Sequence, residues 1–204
     1  MIAPTGGVRA GQPWPSLEDP GVKVGGGEKD VALVITIESY ADLPPIDGAE
    51  ANGVAWVRWF EKARGVRPDK IVHLINKQGT PGEMLAKARE LVELADPKGR
   101  IWVVFIGHGA PAEDQTEGLF VGWAAQQNAR ELYGQSLRQS ELVNALGGGR
   151  KAPIVVVADA CFNGTSRSGE AIAKGLQPVL LTDRQKAIAP NVTVLSAGRA
   201  DQFA

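Results

Sequence analysis

Two side chains able to act together in acyl transfer stand at similar places in the sequence. His108 lies between Gly107 and Gly109 in "FIGHGAP", where an apolar run gives out, and Cys161 directly follows a second such run. The chain holds two histidines and one cysteine. A thiol attacks as thiolate and needs a base beside it, which an imidazole supplies. The same imidazole can later protonate a leaving amine. The tetrahedral intermediate then needs donors aimed at its oxyanion. The backbone N–H groups of Gly109 and Cys161 are the candidates, because backbone donors are already fixed in place. Singly, each residue has a plain reading, the cysteine as a small packed hydrophobe and the histidine as a structural group. Together, at the ends of two apolar runs and flanked by small residues, they point to a catalytic pair. His73 lies inside a run, not at its end, and reads as structural.

The runs that must position this pair are "VALVITI" (31–37), "KIVHLI" (70–75), "RIWVVFIG" (100–107) and "APIVVVADA" (152–160), with "NVTVLSA" (191–197) as a weaker fifth. They are short, β-branched and nearly continuous, which suits strands buried on both faces of a parallel sheet. Between them, Ala49, Gly53, Trp56, Phe60 and Ala63 form one helical stripe, ended by Gly65 and Pro68. "TPGE" opens a second helix, with Thr80 as N-cap, Pro81 in the first turn and Glu83 reaching back. Met84, Ala88, Leu91 and Ala95 form its buried stripe. A third helix is expected over about 138–146. Alternating strands and helices predict a three-layer α/β/α sandwich with a mostly parallel sheet and right-handed crossovers. Function in such sheets collects at the carboxyl ends of the strands, where His108 and Cys161 both lie.

At 204 residues the chain fits one domain, with 44% hydrophobic and 22% charged residues and a net charge of −1. This balance gives no electrostatic case for nucleic acid. No apolar stretch approaches the roughly 18 residues of a membrane span. Residues 1–29, rich in Gly and Pro, read as a flexible arm before a domain over 30–204. The arm reads as a cytoplasmic terminus in preference to the remnant of an export signal. A nucleotide-binding α/β domain is disfavoured, since no phosphate-cradling glycine motif follows the first strand.

The motif residues resemble the caspase-like cysteine peptidases, particularly their metacaspase and orthocaspase branch. "FIGHGA" is similar to the family's strand-end Gly-His-Gly signature, and "DACFNG" (159–164) to its Asp-x-Cys-x-x-Gly signature. The segments "ESYADLPPIDGAEANG" and "LSAGRADQFA" also resemble family segments, so the likeness spans about 31–204. The resemblance implies a caspase-like fold, with His108 as general base and acid and Cys161 as nucleophile. It also implies Gly109 and Cys161 N–H groups as the oxyanion hole. Asp159 matches the position that lines the pocket for the residue before the cut bond. A carboxylate there selects a cation, so cleavage after Arg or Lys is expected, not after Asp. The plainer reading of Asp159 is a loop-orienting or capping group. Asp42 and Asp47, in the loop after the first run, are the options for a second pocket acid.

Some features depart from the pattern. Asn52 stands where many relatives have Asp. The segment after Cys161 lacks an acidic cluster, so no calcium dependence and no other metal or cofactor is expected. The chain ends soon after its fifth strand, so a C-terminal small-subunit portion is a possible partner. Self-cleavage is common in the family, and Arg167, Lys174, Arg184 and Lys186 are available for it, although each equally reads as surface charge. The expected substrate is a protein or peptide with a basic residue before the cut. The alternative is a catalytically silent caspase-like module that binds or regulates partners.

Overall fold

The computed structural model describes residues 23–147, 152–165, 170–176 and 190–196. The five expected runs form five parallel strands: β1 (Val31–Thr36), β2 (Ile71–Ile75), β3 (Ile101–Ile106), β7 (Ile154–Asp159) and β8 (Val192–Ser196). Their order is β2-β1-β3-β7-β8. Every residue of β1 is buried, as expected for a strand covered on both faces. On one face, Leu33, Ile35, Val103 and Phe105 meet helices α2 (Pro81–Leu94) and α4 (Gln139–Gly147). On the other, Ala32, Val34, Val104 and Ile106 meet α1 (Ala49–Trp59) and the turn after it. The result is the helix–sheet–helix layering expected from the sequence.

The helices follow local signals. Thr80 caps α2 by accepting the Glu83 N–H at 3.3 Å, and Pro81 opens its first turn. The Met84, Ala88 and Leu91 stripe is fully buried, and Ala95 nearly so. The stripe begun by Ala49 and Gly53 does not stay in one α-helix. After Trp59 the chain widens into a π-helical turn, Phe60–Arg64, which Gly65 closes at φ 81°. Phe60 and Ala63 remain buried in that turn, while Trp56 is only half-buried. The third helix, α4, buries Leu142 and Leu146.

Residues 109–138 hold structure that the periodicity did not reveal. Strands β4 (Gly109–Pro111), β5 (Gly118–Val121) and β6 (Ser136–Arg138) make a small antiparallel sheet, with α3 (Ala129–Gly134) before β6. Pieces of three to six residues are too short to show a period. Residues 24–27, assigned from sequence to the arm, run along the π turn. Val24 and Gly25 donate to the Ala63 carbonyl at 2.8 and 2.9 Å, and Gly27 donates to that of Arg64 at 3.0 Å. Residues 1–22 lie outside the described part.

The chain goes from β1 to β2 on one side, then across to β3 on the other. Sheets of this kind bind ligands outside the carboxyl ends of the strands where the order reverses, here β1 and β3. The loop after β1 and the residue after β3 meet there.

Candidate active site

The register of β3 and β7 brings His108 and Cys161 to the same edge of the sheet. Ile106 is paired with Asp159, and Gly107 N–H extends the pairing to the Asp159 carbonyl at 3.3 Å. His108 and Cys161 each come two residues after that matched pair. Neighbouring strands run about 4.8 Å apart. His108 is 6% exposed, whereas Cys161 is half-buried.

His108 is held through its backbone and its ring. Its N–H donates to the Tyr40 hydroxyl at 2.7 Å, and its carbonyl accepts the Val121 N–H at 3.0 Å. The Tyr40 ring lies 4.9 Å from the imidazole, centroid to centroid. Ring Nε2 lies 2.8 Å from the Pro44 carbonyl. A carbonyl only accepts, so Nε2 carries the proton and, in the neutral ring, Nδ1 is the bare basic nitrogen. Burial pushes the His108 pKa down, partly offset by the Pro44 carbonyl. The ring is therefore suited to start as a neutral base. Burial also pushes the Tyr40 phenol well above its ordinary range, so its hydroxyl stays a neutral hydrogen-bonding group.

The glycine after His108 has a steric reason. A Cβ on Gly109 would stand 2.8 Å from the Cys161 carbonyl oxygen and 2.9 Å from Cδ1 of Phe162. Any side chain there would force the two backbones apart. The Phe162 ring also lies over Gly118, where a Cβ would come within 2.5 Å of it, and it meets Phe120 edge-on at 5.8 Å. This aromatic anchor fixes the residues beside the thiol against the small sheet. The β4–β5 ladder orients the Gly109 amide. Val121 N–H donates to His108, and hydrogen-bonding positions alternate along an antiparallel pair. Gly109, opposite Phe120, is thus a position whose N–H turns away from β5. It leaves β4 on the side of the Cys161 backbone, where no strand among the described residues pairs with it.

Asp159 is half-buried at the end of β7. Its Oδ2 accepts from the Asn52 amide at 3.2 Å. Among the described residues no cation pairs with it. The sequence treats Asn52 only as a departure from a pattern, but the fold sets it directly on the expected pocket acid. Asp47 is exposed, just before Gly48, whose carbonyl accepts the Asn52 N–H at 3.0 Å. It therefore shares the Asn52 end of α1. Asp42 is tied elsewhere: its Oδ2 accepts the Gln127 N–H at 3.2 Å, and its carbonyl the Gln127 side-chain amide at 2.7 Å. The structure thus gathers His108, Cys161, Gly109 and Asp159 along the ends of β3 and β7, with Asp42 facing the 127 loop.

Tyr40 and Pro44 were not singled out from sequence, yet both contact His108. The available signal was an aromatic residue and two prolines in the loop after the first strand, at the reversal point of the sheet. His73, inside β2, pairs at 2.9 Å with the Thr36 hydroxyl beneath α1. Lys174 is exposed, but its N–H and carbonyl are bonded to Gln127 and Ala129. Arg167, Arg184 and Lys186 lie outside the described residues. Among the described residues, no group of three or more His, Cys, Asp or Glu side chains could hold a metal ion. No described helix is long and apolar enough to cross a membrane.

The family model of the peptidase C14 caspase domain matches residues 29–203. A crystal structure of a Geobacter sulfurreducens protein superposes with a TM-score of 0.53 at 17% identity, covering 67% of this chain and 52% of that one. That likeness concerns the fold, and the chain spans about half the length of that structure. No curated protein matches the chain.

Proposed function

The chain belongs to the caspase-domain family of peptidases, and we propose that it hydrolyses peptide bonds after Arg or Lys through Cys161 and His108. The observation that carries this reading is the Nε2–H contact to Pro44, which leaves Nδ1 as the basic nitrogen of a residue in register with the thiol. Nδ1 takes the thiol proton, and the sulfur attacks the scissile carbonyl carbon. The tetrahedral oxyanion is met by the outward N–H of Gly109 and by that of Cys161. On collapse the C–N bond breaks, and His108 gives its proton to the leaving amine. Water, deprotonated by the same ring, then cleaves the thioester and restores the thiol.

The preference for a basic residue rests on Asp159. A half-buried carboxylate met, among the described residues, by one neutral partner favours an arriving cation, and a guanidinium can engage it directly. The test is turnover of fluorogenic peptides ending in Arg, Lys or Asp. Turnover of the Arg peptide should fall by at least about a thousandfold in Cys161→Ala. Retained turnover in that variant, or preference for the Asp peptide, refutes the assignment.

A further inference from the structure

We infer that Asn76, at the carboxyl end of β2, is a positioning residue for His108. It acts by tying the neck of the loop that holds the imidazole. This rests on the reading of His108 as the base and adds a part that the reading does not contain. Two of the contacts that hold His108 come from one loop: its N–H donates to the Tyr40 hydroxyl, and its ring meets the Pro44 carbonyl. The loop is closed where Glu38 C=O accepts the Ile46 N–H at 2.9 Å. Asn76 binds that neck. Its Oδ1 accepts the N–H groups of Glu38 and Ser39 at 2.9 and 3.0 Å. Its Nδ2 donates to Glu50 Oε1 at 2.5 Å, and Glu50 N–H donates back to Glu38 Oε2 at 2.8 Å. Asn76 does this from a left-handed backbone, φ 48°, which few residues other than Gly and Asn adopt readily. Gly would suit that backbone as well, but only Asn also provides an acceptor for two amides and a donor for Glu50. Small displacements of a catalytic group are costly, about a hundredfold for 1 Å. A clamp on this neck therefore bears on rate although it touches no reacting atom.

The experiment uses Asn76→Gly, which suits the backbone angle and removes only the side chain. The kcat should fall about tenfold with KM within about twofold. In the Cys161→Ala background, 15N spectra above the histidine titration range should show one His108 tautomer, protonated at Nε2. Adding Asn76→Gly should give a mixture of tautomers, with His73→Gln used to assign the signals. Asn76→Asp should be impaired, because its carboxylate would face Glu50. Adding Glu50→Gln should restore kcat, since donor and acceptor are exchanged. Unchanged kcat with a single tautomer in Asn76→Gly overturns the inference. If the unaltered chain shows no turnover, the peptidase reading fails on its own, and the tautomer spectra still decide the role of Asn76.

Discussion

The two ends of the parallel sheet each hold an aspartate, and the two are treated in opposite ways. At the amino end, Asp30 is 2% exposed and saturated with donors. Arg64 reaches it through Nε and Nη2 at 2.9 and 2.8 Å, and the Trp102 indole and Arg100 N–H each donate at 2.9 Å. The same Arg64 clasps the carbonyls of Gly25 and Gly26, so this carboxylate helps hold the incoming chain to the domain. At the carboxyl end, Asp159 is more exposed and, among the described residues, is met by one neutral amide and by no cation. A carboxylate compensated in full serves the fold. One left with unused acceptor capacity two residues before a half-buried cysteine is suited to a ligand.

The largest difference should come from neutralising each aspartate. Asp159→Asn should lower kcat/KM on an Arg peptide about a hundredfold, while the melting temperature stays within about 2 °C, because it breaks no ion pair among the described residues. Asp30→Asn should do the reverse. It strands the nearly buried Arg64 charge and costs about 3 kcal/mol or more, seen as a lower urea midpoint, while the folded fraction keeps its kcat. If Asp159→Asn destabilises as much as Asp30→Asn, both carboxylates are structural and the contrast disappears. Next in size is Gly109→Ala. Its added carbon would press on the Cys161 carbonyl, and kcat should drop about tenfold or more. The same change at Gly82, where a Cβ meets nothing within 4 Å, should leave kcat unaltered.

What could be read from the sequence divides along similar lines. The five strands were legible because runs such as Val31–Thr36 are apolar throughout, a pattern imposed by burial on both faces. Strand alternation also led to the carboxyl edge, and hence to His108 and Cys161. The small sheet was illegible because "GAP" and "SLR" are too short to display a period and gain their pairing from tertiary contact. The π turn at Phe60 was hidden because it preserves the apolar stripe while changing the hydrogen bonding. Within the site, Asp159 entered only through the resemblance of "DACFNG" to a family motif, whereas its partner Asn52 lies 107 positions away and shares no local pattern with it. Pro44 contributes a backbone carbonyl, which carries no side-chain signature at all.

The smallest expected effect separates the two histidines. Burial lowers the pKa of both, with Pro44 partly opposing at His108 and Glu50 at His73. The sign follows from which state binds the proton first. The unfolded chain protonates each ring near 6.5, while the fold resists until lower pH. Stability is therefore full above about 6.5 and is lost as pH falls through the depressed folded values. His73→Gln should remove part of that acid-side loss and leave the acidic limb of kcat/KM in place, since that limb reports the free enzyme's base. That limb should itself lie below the ordinary histidine value, because His108 has to be neutral to accept the thiol proton. An acidic limb that moves with His73→Gln would assign the titration to the strand residue and remove His108 from its role as base.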